Sequence, residues 1–204
     1  MRADKLDRSP PPEPEMSVSY APALSHLDPE RSQLVVVDVQ GRLARLMHES
    51  DAMIRAQSTL IRACRLLDLP VAWAEQLPDK LGATVDELQE PLEGLTACAK
   101  SSFGCLGDDT LREQILESDR DQVLLCGIET HVCVWQTAAS LLREGRDVHV
   151  IADAVSSRSA DNKATGLLRL REAGAVISNV EMALFELMVD ATHPRFREVT
   201  KLLK

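Results

Sequence analysis

The chain has 204 residues, of which 45% are hydrophobic and 27% charged, which fits one globular domain with a substantial core. Its net charge of -9 disfavours a nucleic-acid partner, because binding to phosphates depends on lysine and arginine. No apolar run is long enough for a transmembrane helix or for the core of a signal peptide, so no membrane partner is expected. The five cysteines are scattered, without the spacing of a zinc site or a disulfide framework, and indicate a reducing cytoplasm.

Residues 1–24 are predicted to form a disordered or loosely docked tail that precedes a single domain over residues 25–204. Four prolines stand among charged residues between positions 10 and 14, and apolar residues are scarce there. Such a composition cannot bury enough apolar surface to fold alone. Met16 could be the true start of the protein.

From residue 34 onward, short apolar runs alternate with helical patterns. Strands are predicted at 34–37, 71–74, 95–99, 122–126, 148–151 and 175–177. Helices are predicted at 52–67, 110–117, from the residues around Cys133 to about Arg143, at 161–172, 180–188 and 195–203.

Six strands without polar alternation, separated mostly by helices, predict a parallel sheet that is buried on both faces. Right-handed crossovers then give a three-layer α/β/α fold, doubly wound and Rossmann-like. In such sheets ligands bind beyond the carboxyl ends of the strands, near the point where strand order reverses. No glycine-rich motif for nucleotide phosphates is present, and we expect no cofactor.

Three reactive side chains stand where this fold binds ligands: Asp38 after the first strand, Lys100 after the third and Cys133 after the fourth. A buried carboxylate and a buried ammonium are each costly unless they are paired, so we expect the two to meet in one cleft. The start of a helix can lower the pKa of a cysteine and make it a nucleophile. Each residue also has a simpler explanation: Asp38 could cap a helix, Lys100 could be solvated, and Cys133 could be a small core residue.

The residues around these positions carry a resemblance. Residues 37–40 read Val-Asp-Val-Gln, residues 100–103 read Lys-Ser-Ser-Phe, and residues 127–138 read Gly-Ile-Glu-Thr-His-Val-Cys-Val-Trp-Gln-Thr-Ala. Over roughly residues 27–204 the chain resembles the isochorismatase-like cysteine hydrolase family. Residues 153–159 and 190–196 are similar to one branch of it, the isochorismatase-domain-containing proteins of animals and their bacterial relatives.

The resemblance implies a catalytic triad of Asp38, Lys100 and Cys133. It also implies a cis peptide between Ile128 and Glu129, with the amides of Glu129 and Cys133 forming an oxyanion hole. It further implies an isochorismatase-like fold with a six-stranded parallel sheet.

The same resemblance indicates a metal-independent hydrolase that cleaves a C–N bond in a small amide, ureide or imide. Nicotinamidases resemble this chain but bind a metal through an aspartate and two histidines, whereas residues 73–80 contain no histidine, so no metal is expected. Isochorismatases proper hydrolyse a vinyl ether and lack the cysteine nucleophile, yet that activity is kept as an alternative. The others are a non-catalytic oligomeric scaffold and a redox-sensing thiol protein, although no resolving cysteine is obvious.

The substrate is expected to be a small molecule, and its pocket has five candidate residues. Three are aromatic and could stack on a flat substrate or belong to the core, and His131 could line the pocket or support it from behind. Arg158 could anchor a substrate carboxylate or lie at a subunit interface. A homo-oligomer is expected, with the apolar segment 182–189 as a possible interface. The pocket candidates are Gln40, Trp73, Phe103, His131 and Trp135.

Overall fold

The computed structural model of the chain describes residues 26–204. Six parallel strands form one sheet in the order β3-β2-β1-β4-β5-β6. This confirms the predicted three-layer α/β/α fold, and the strand order reverses between β1 and β4. The predicted tail at residues 1–24, including Met16, lies outside the described residues. The strands are β1 Ser32–Val37, β2 Val71–Gln76, β3 Cys98–Lys100, β4 Gln122–Ile128, β5 Asp147–Ser156 and β6 Val176–Ser178.

Helices cover both faces of the sheet, and side-chain caps fix several of their starts. Asp108, Ser159 and Asn179 each accept a hydrogen bond from a backbone amide in the first turn of α5, α7 and α8. Within residues 26–204 no helix combines the length and the apolar character that crossing a bilayer requires. The helices are α1 Gly41–Arg45, α2 Ser50–Leu66, α3 Pro78–Leu81, α4 Asp86–Gln89, α5 Asp109–Leu116, α6 Trp135–Arg143, α7 Ala160–Glu172, α8 Val180–Met188 and α9 Phe196–Leu202.

The core has two parts, one on each face of the sheet, because successive side chains of a strand point to opposite faces. In β1, Leu34 and Val36 pack in the cluster that includes α2, α8 and α9. Val35 and Val37 pack in the other cluster, with α5, α6 and α7. Fully burying each such side chain contributes about 1.5–3 kcal/mol, so the central strand is held rigidly from both sides.

Several details differ from the sequence-based prediction. The short helices α1, α3 and α4 were not predicted, since four or five residues are too few to show a helical period. The strand predicted at 95–99 is shorter than expected and ends one residue later, since β3 covers Cys98–Lys100. Cys133 is not in the first turn of an α-helix, because α6 begins at Trp135 and a π-helical turn, Thr130–Val134, precedes it.

Candidate active site

The strand order brings the three predicted triad residues to one edge of the sheet, at the switch between β1 and β4. Gly127 near the end of β4 has φ 123°, and a Cβ there would lie 2.1 Å from the carbonyl oxygen of Val37. Only glycine allows this close approach of the two backbones. Directly after Val37, Asp38 turns the chain with φ 55°, a left-handed conformation that aspartate tolerates better than most residues.

Lys100 at the end of β3 reaches across the end of β2 to Asp38. Its Nζ donates to Asp38 Oδ2 at 2.6 Å, and the side chains of Lys100 and Asp38 are 0% and 3% exposed. Nζ also donates to Gln76 Oε1 at 2.8 Å and to the backbone carbonyl oxygens of Ser102 at 3.1 Å and Phe103 at 3.0 Å. Protein oxygens therefore accept hydrogen bonds from the ammonium in place of water, which offsets the free-energy cost of burying its charge.

The other carboxylate oxygen of Asp38, Oδ1, is buried and meets no donor in good hydrogen-bond geometry among the described residues. The Cys133 thiol is close enough to interact with the same carboxylate. Burial raises the pKa of the Asp38 carboxyl, and the charge of Lys100 opposes that rise. A carboxylate with a raised pKa and an uncommitted oxygen beside a thiol is suited to act as a base.

The pKa of Cys133 corrects the expectation of a thiol activated by a helix start. Burial first, and then the negative charge of Asp38, raise the pKa of the Cys133 thiol to about 12. The expected lowering is wrong because the thiol is removed from water and faces a carboxylate, two effects that sequence position does not reveal. At neutral pH the thiol therefore keeps its proton until a base removes it.

The turn that carries Cys133 is held at several points. The peptide bond between Ile128 and Glu129 is cis. The Thr137 hydroxyl donates to the carbonyl oxygen of Cys133 at 2.7 Å and accepts from the backbone amide of Cys105 at 3.0 Å. Thr137 thus joins the loop after β3 to the turn after β4. Sequence reasoning missed this contact, because nothing marks one threonine in a helix as a link between loops.

The loop after β5 contacts the same turn. Glu129 Oε2 accepts from the backbone amide of Arg158 and from its Nε, both at 3.1 Å. His131 Nδ1 lies 3.0 Å from Ser157 Oγ. His131 therefore supports the turn from the β5 side, which was one of the two roles considered for it.

The side chains of two pocket candidates form hydrogen bonds inside the protein and do not line a pocket. Gln40 is fully buried, and its side-chain amide bonds to the backbone of Gln76 and of Gly82. Trp73 is buried in the core, where its indole N–H donates to Thr84 Oγ1 at 2.8 Å. The reason in both cases is that the side chain points into the protein, a direction that the sequence does not give.

The other two aromatic candidates lie nearer the surface. Phe103 is 54% exposed, while its backbone carbonyl accepts from Lys100. Trp135 is half-buried at the start of α6, and the guanidinium carbon of Arg169 lies 4.1 Å from its ring centroid. Trp135 thus packs partly against α7, in agreement with the alternative that it belongs to the core.

Gln76 is the site residue that sequence reasoning missed. Its Oε1 accepts from Lys100 Nζ, and its Nε2 donates to the carbonyl oxygen of Ser101 at 2.7 Å. The signal was available, because Gln76 is a polar residue at the end of an apolar strand, as Asp38 is. Nearby Glu75 is occupied, since its carboxylate accepts from the amide and hydroxyl of Thr84. Across the described part of the chain, no cluster of three His, Cys, Asp or Glu residues is arranged to hold a metal ion.

Known proteins share the sequence pattern and the fold of this chain. The Isochorismatase domain family matches residues 32–182. The secreted isochorismatase effector Isc1 of Phytophthora sojae is 40% identical, over 89% of this chain and 88% of that protein. Human isochorismatase domain-containing protein 2 is 38% identical, over 90% of this chain and 88% of that protein. A structure titled as the MAR1 ribonuclease of Caenorhabditis elegans superposes with a TM-score of 0.83 at 35% identity, covering 88% of this chain and 92% of that chain. The chain therefore belongs to the isochorismatase family of hydrolases, in the branch of the isochorismatase-domain-containing proteins.

Proposed function

We propose that this protein is a metal-independent cysteine hydrolase that cleaves a C–N bond in a small amide, ureide or imide. The observation that carries the proposal is the buried Asp38–Lys100 pair, whose second carboxylate oxygen has no hydrogen-bond partner among the described residues and whose carboxylate interacts with the Cys133 thiol. A buried ion pair next to a thiol gives little net stability, because replacing such a pair by apolar residues is often neutral or stabilising. Its presence at this edge of the sheet therefore favours a catalytic role.

In the first half of the reaction, Asp38 takes the thiol proton as the sulfur of Cys133 attacks the carbonyl carbon of the substrate. The amides of Glu129 and Cys133 are the proposed donors to the oxyanion that forms, and one such donor is typically worth about 3 kcal/mol of barrier. The proton on Asp38 passes to the leaving amine or ammonia, the C–N bond breaks, and a thioester to Cys133 remains.

In the second half, Asp38 removes a proton from water, which attacks the thioester carbon. The C–S bond breaks, the proton returns to the sulfur, and the carboxylic acid product leaves. Lys100 takes no part in bond making. Its contact with Oδ2 holds the carboxylate in place and favours the ionised form, which directs the remaining oxygen toward the sulfur.

The pocket that receives the substrate is proposed to include Phe103, His131 and Trp135, which lie in the loop after β3, in the turn after β4 and at the start of α6. Phe103 is the strongest of the three, since its backbone is held by Lys100 while its ring is largely exposed. A flat amide or imide would stack on such a ring.

One structural relative is titled a ribonuclease, but we do not extend that activity to this chain. The net charge is -9, and the lysine at the site is already paired with Asp38. Binding RNA phosphates would need cations that remain free to neutralise them.

The protein is further proposed to act as a homo-oligomer in a reducing cytoplasm. All five cysteines are unpaired thiols, which fits a reducing compartment. Met182, Phe185 and Val189 on and just after α8 are exposed, an arrangement that favours a contact with another copy. Light scattering of the purified protein measures the oligomeric state, and a monomer at all concentrations would contradict this part.

The hydrolase is tested by a screen of small amides, ureides and imides for ammonia release. We expect at least one substrate class to be turned over, with a thioester on Cys133 visible by mass spectrometry. Cys133→Ala should remove turnover and thioester together, whereas Cys126→Ala should retain both, because Cys126 is a core residue of β4. Full activity in Cys133→Ala would end the covalent scheme, and inert Cys133 in the native protein would favour the scaffold alternative.

A further inference from the structure

The strand next to β4 changes its register just before the catalytic turn. The pairing runs from Leu125 with Val150 to Gly127 with Val155, which is two steps along β4 and five along β5. After this bulge Ile128 pairs with Ser156. The extra residues of β5 bring the start of its following loop alongside the peptide between Ile128 and Glu129.

Two side-chain contacts join this loop to the turn. Arg158 donates twice to Glu129 Oε2, from its backbone amide and from Nε, and the side chain of Glu129 is only 11% exposed. The hydrogen bond between His131 and Ser157 is the second contact. Glu129 is therefore held at its side chain by Arg158 while its backbone forms the start of the turn.

Two further elements contact the turn. A Cβ on Gly166 of α7 would lie 3.0 Å from the backbone nitrogen of His131, so α7 packs directly against the turn. Thr137 ties the carbonyl oxygen of Cys133 to Cys105. Glu129 is thus the point at which the loop after β5 determines where the turn begins.

We propose that Arg158 is a positioning residue for the oxyanion hole, which acts through the side chain of Glu129 on the Glu129 amide. The inference rests on the proposed function, because it assumes that this amide receives the oxyanion. An oxyanion donor is effective only when it points at the place where charge develops. A misplacement of about 1 Å far from the reacting atoms can cost about 100-fold in rate.

This role differs from that of a substrate anchor. The backbone N–H and Nε of Arg158 both donate to Glu129, so the guanidinium, on a side chain that is 60% exposed, already has one carboxylate partner. A positioning residue affects reactions that form an oxyanion whatever the charge of the substrate. A carboxylate anchor affects anionic substrates alone.

The test compares two reagents that react with the same thiol. p-Nitrophenyl acetate acylates Cys133: the thiol proton moves to Asp38, the C–S bond forms through an oxyanion, and p-nitrophenolate leaves. Iodoacetamide alkylates Cys133: the thiol proton moves to Asp38, the C–S bond forms as the C–I bond breaks, and iodide leaves without an oxyanion. The oxyanion hole therefore contributes to the first rate and not to the second.

In Arg158→Gln we expect the acylation rate to fall about 10- to 100-fold, with the alkylation rate unchanged. Arg158→Lys should recover part of the loss, because an ammonium can still donate to Glu129. Glu129→Ala should slow acylation at least as much as Arg158→Gln, because it also removes the hydrogen bond from the Arg158 backbone amide. The double variant should be no slower than Glu129→Ala, because Arg158 acts through Glu129.

The matched control is Arg31→Gln. Arg31 also donates twice to a carboxylate, that of Asp121, but at the amino ends of β1 and β4. This variant should retain both rates.

Four outcomes would overturn the proposal. If Arg158→Gln is acylated at the native rate, Arg158 has no positioning role. If acylation and alkylation slow equally, Arg158 only supports the overall stability of the site. A defect confined to an anionic ester, with p-nitrophenyl acetate unaffected, makes Arg158 an anchor instead. A native protein that is alkylated at Cys133 but never acylated contradicts the proposed function itself, and this inference with it.

Discussion

Two ion pairs at the two ends of β1 have the same N–O distance, 2.6 Å, and different environments. Arg31 and Asp121, at the amino end, have side chains 45% and 43% exposed. Asp38 and Lys100, at the carboxyl end, are almost fully buried. The distance between the charges therefore says little about what a pair does, because the surrounding solvent decides the strength and cost of the interaction.

The two carboxylates respond in opposite directions. The hydrogen bond from Arg31 lowers the pKa of Asp121, which stays ionised and inert. Burial raises the pKa of Asp38 in spite of Lys100. The exposed pair joins two strands, whereas the buried pair provides a base whose affinity for a proton has been increased.

Lys100→Met should have the largest effect, since it leaves the Asp38 charge buried without a partner. We expect the free energy of unfolding to fall by about 3–5 kcal/mol and activity to be lost. Urea unfolding followed by circular dichroism measures the change in the free energy of unfolding. If Lys100→Met costs no more stability than Arg31→Met, the buried pair has no special role.

Asp38→Asn should separate catalysis from stability. Asparagine also tolerates the left-handed backbone at this position, and Lys100 keeps its contacts with Gln76 and two carbonyl oxygens. We expect acylation of Cys133 to slow about 10²–10⁴-fold, because the general base is removed. The loss of unfolding free energy should be smaller than in Lys100→Met. A variant that acylates at the native rate would exclude Asp38 as the base.

His149 extends the contrast to a buried group on which two effects oppose each other: burial lowers its pKa, and the negative charge of Glu186 acts to raise it. It is 1% exposed, and neither ring nitrogen has a hydrogen-bond partner among residues 26–204. Burial lowers the pKa of His149, so below about pH 6.5 the unfolded chain binds a proton that the folded protein resists.

The contribution of His149 to the free energy of unfolding should therefore be fully present above that pH. Below it, this contribution should fall by at most about 1.4 kcal/mol per pH unit. The difference between native protein and His149→Phe isolates the contribution of His149 in unfolding curves from pH 7.5 to 5. Parallel pH dependences in the two proteins would show that His149 does not contribute.

Arg31→Gln should have the smallest effect. Exposed pairs are worth about 0–1 kcal/mol and are screened by salt. We expect a loss in that range at low ionic strength that shrinks further at 1 M salt. A salt-independent loss of several kcal/mol would mean that this pair behaves like the buried one.

The fold was predictable because β1, β2 and β4 are apolar runs long enough to be read as buried parallel strands. The meeting of Asp38 and Lys100 was also predictable, since strand ends share an edge and buried charges need partners. The bulge in β5 and the π-helical turn were not, because both depend on how neighbouring strands pair.

The thiol pKa shows why the site itself was only partly predictable. The position of Cys133 after β4 was correct, but the direction of its pKa shift was not. A helix start is visible in a sequence, whereas the loss of water around a side chain is a property of the assembled structure. Arg158 is similar, because its bond to Glu129 exists only once β5 has been placed beside β4.

The most direct test of the triad is peptide mapping by mass spectrometry after brief exposure to p-nitrophenyl acetate at neutral pH. We predict one acetyl group on Cys133 in the native protein and none in Asp38→Asn over the same time. Acetylation of Cys133 to the same extent in both proteins would contradict the claim that the buried carboxylate activates the thiol.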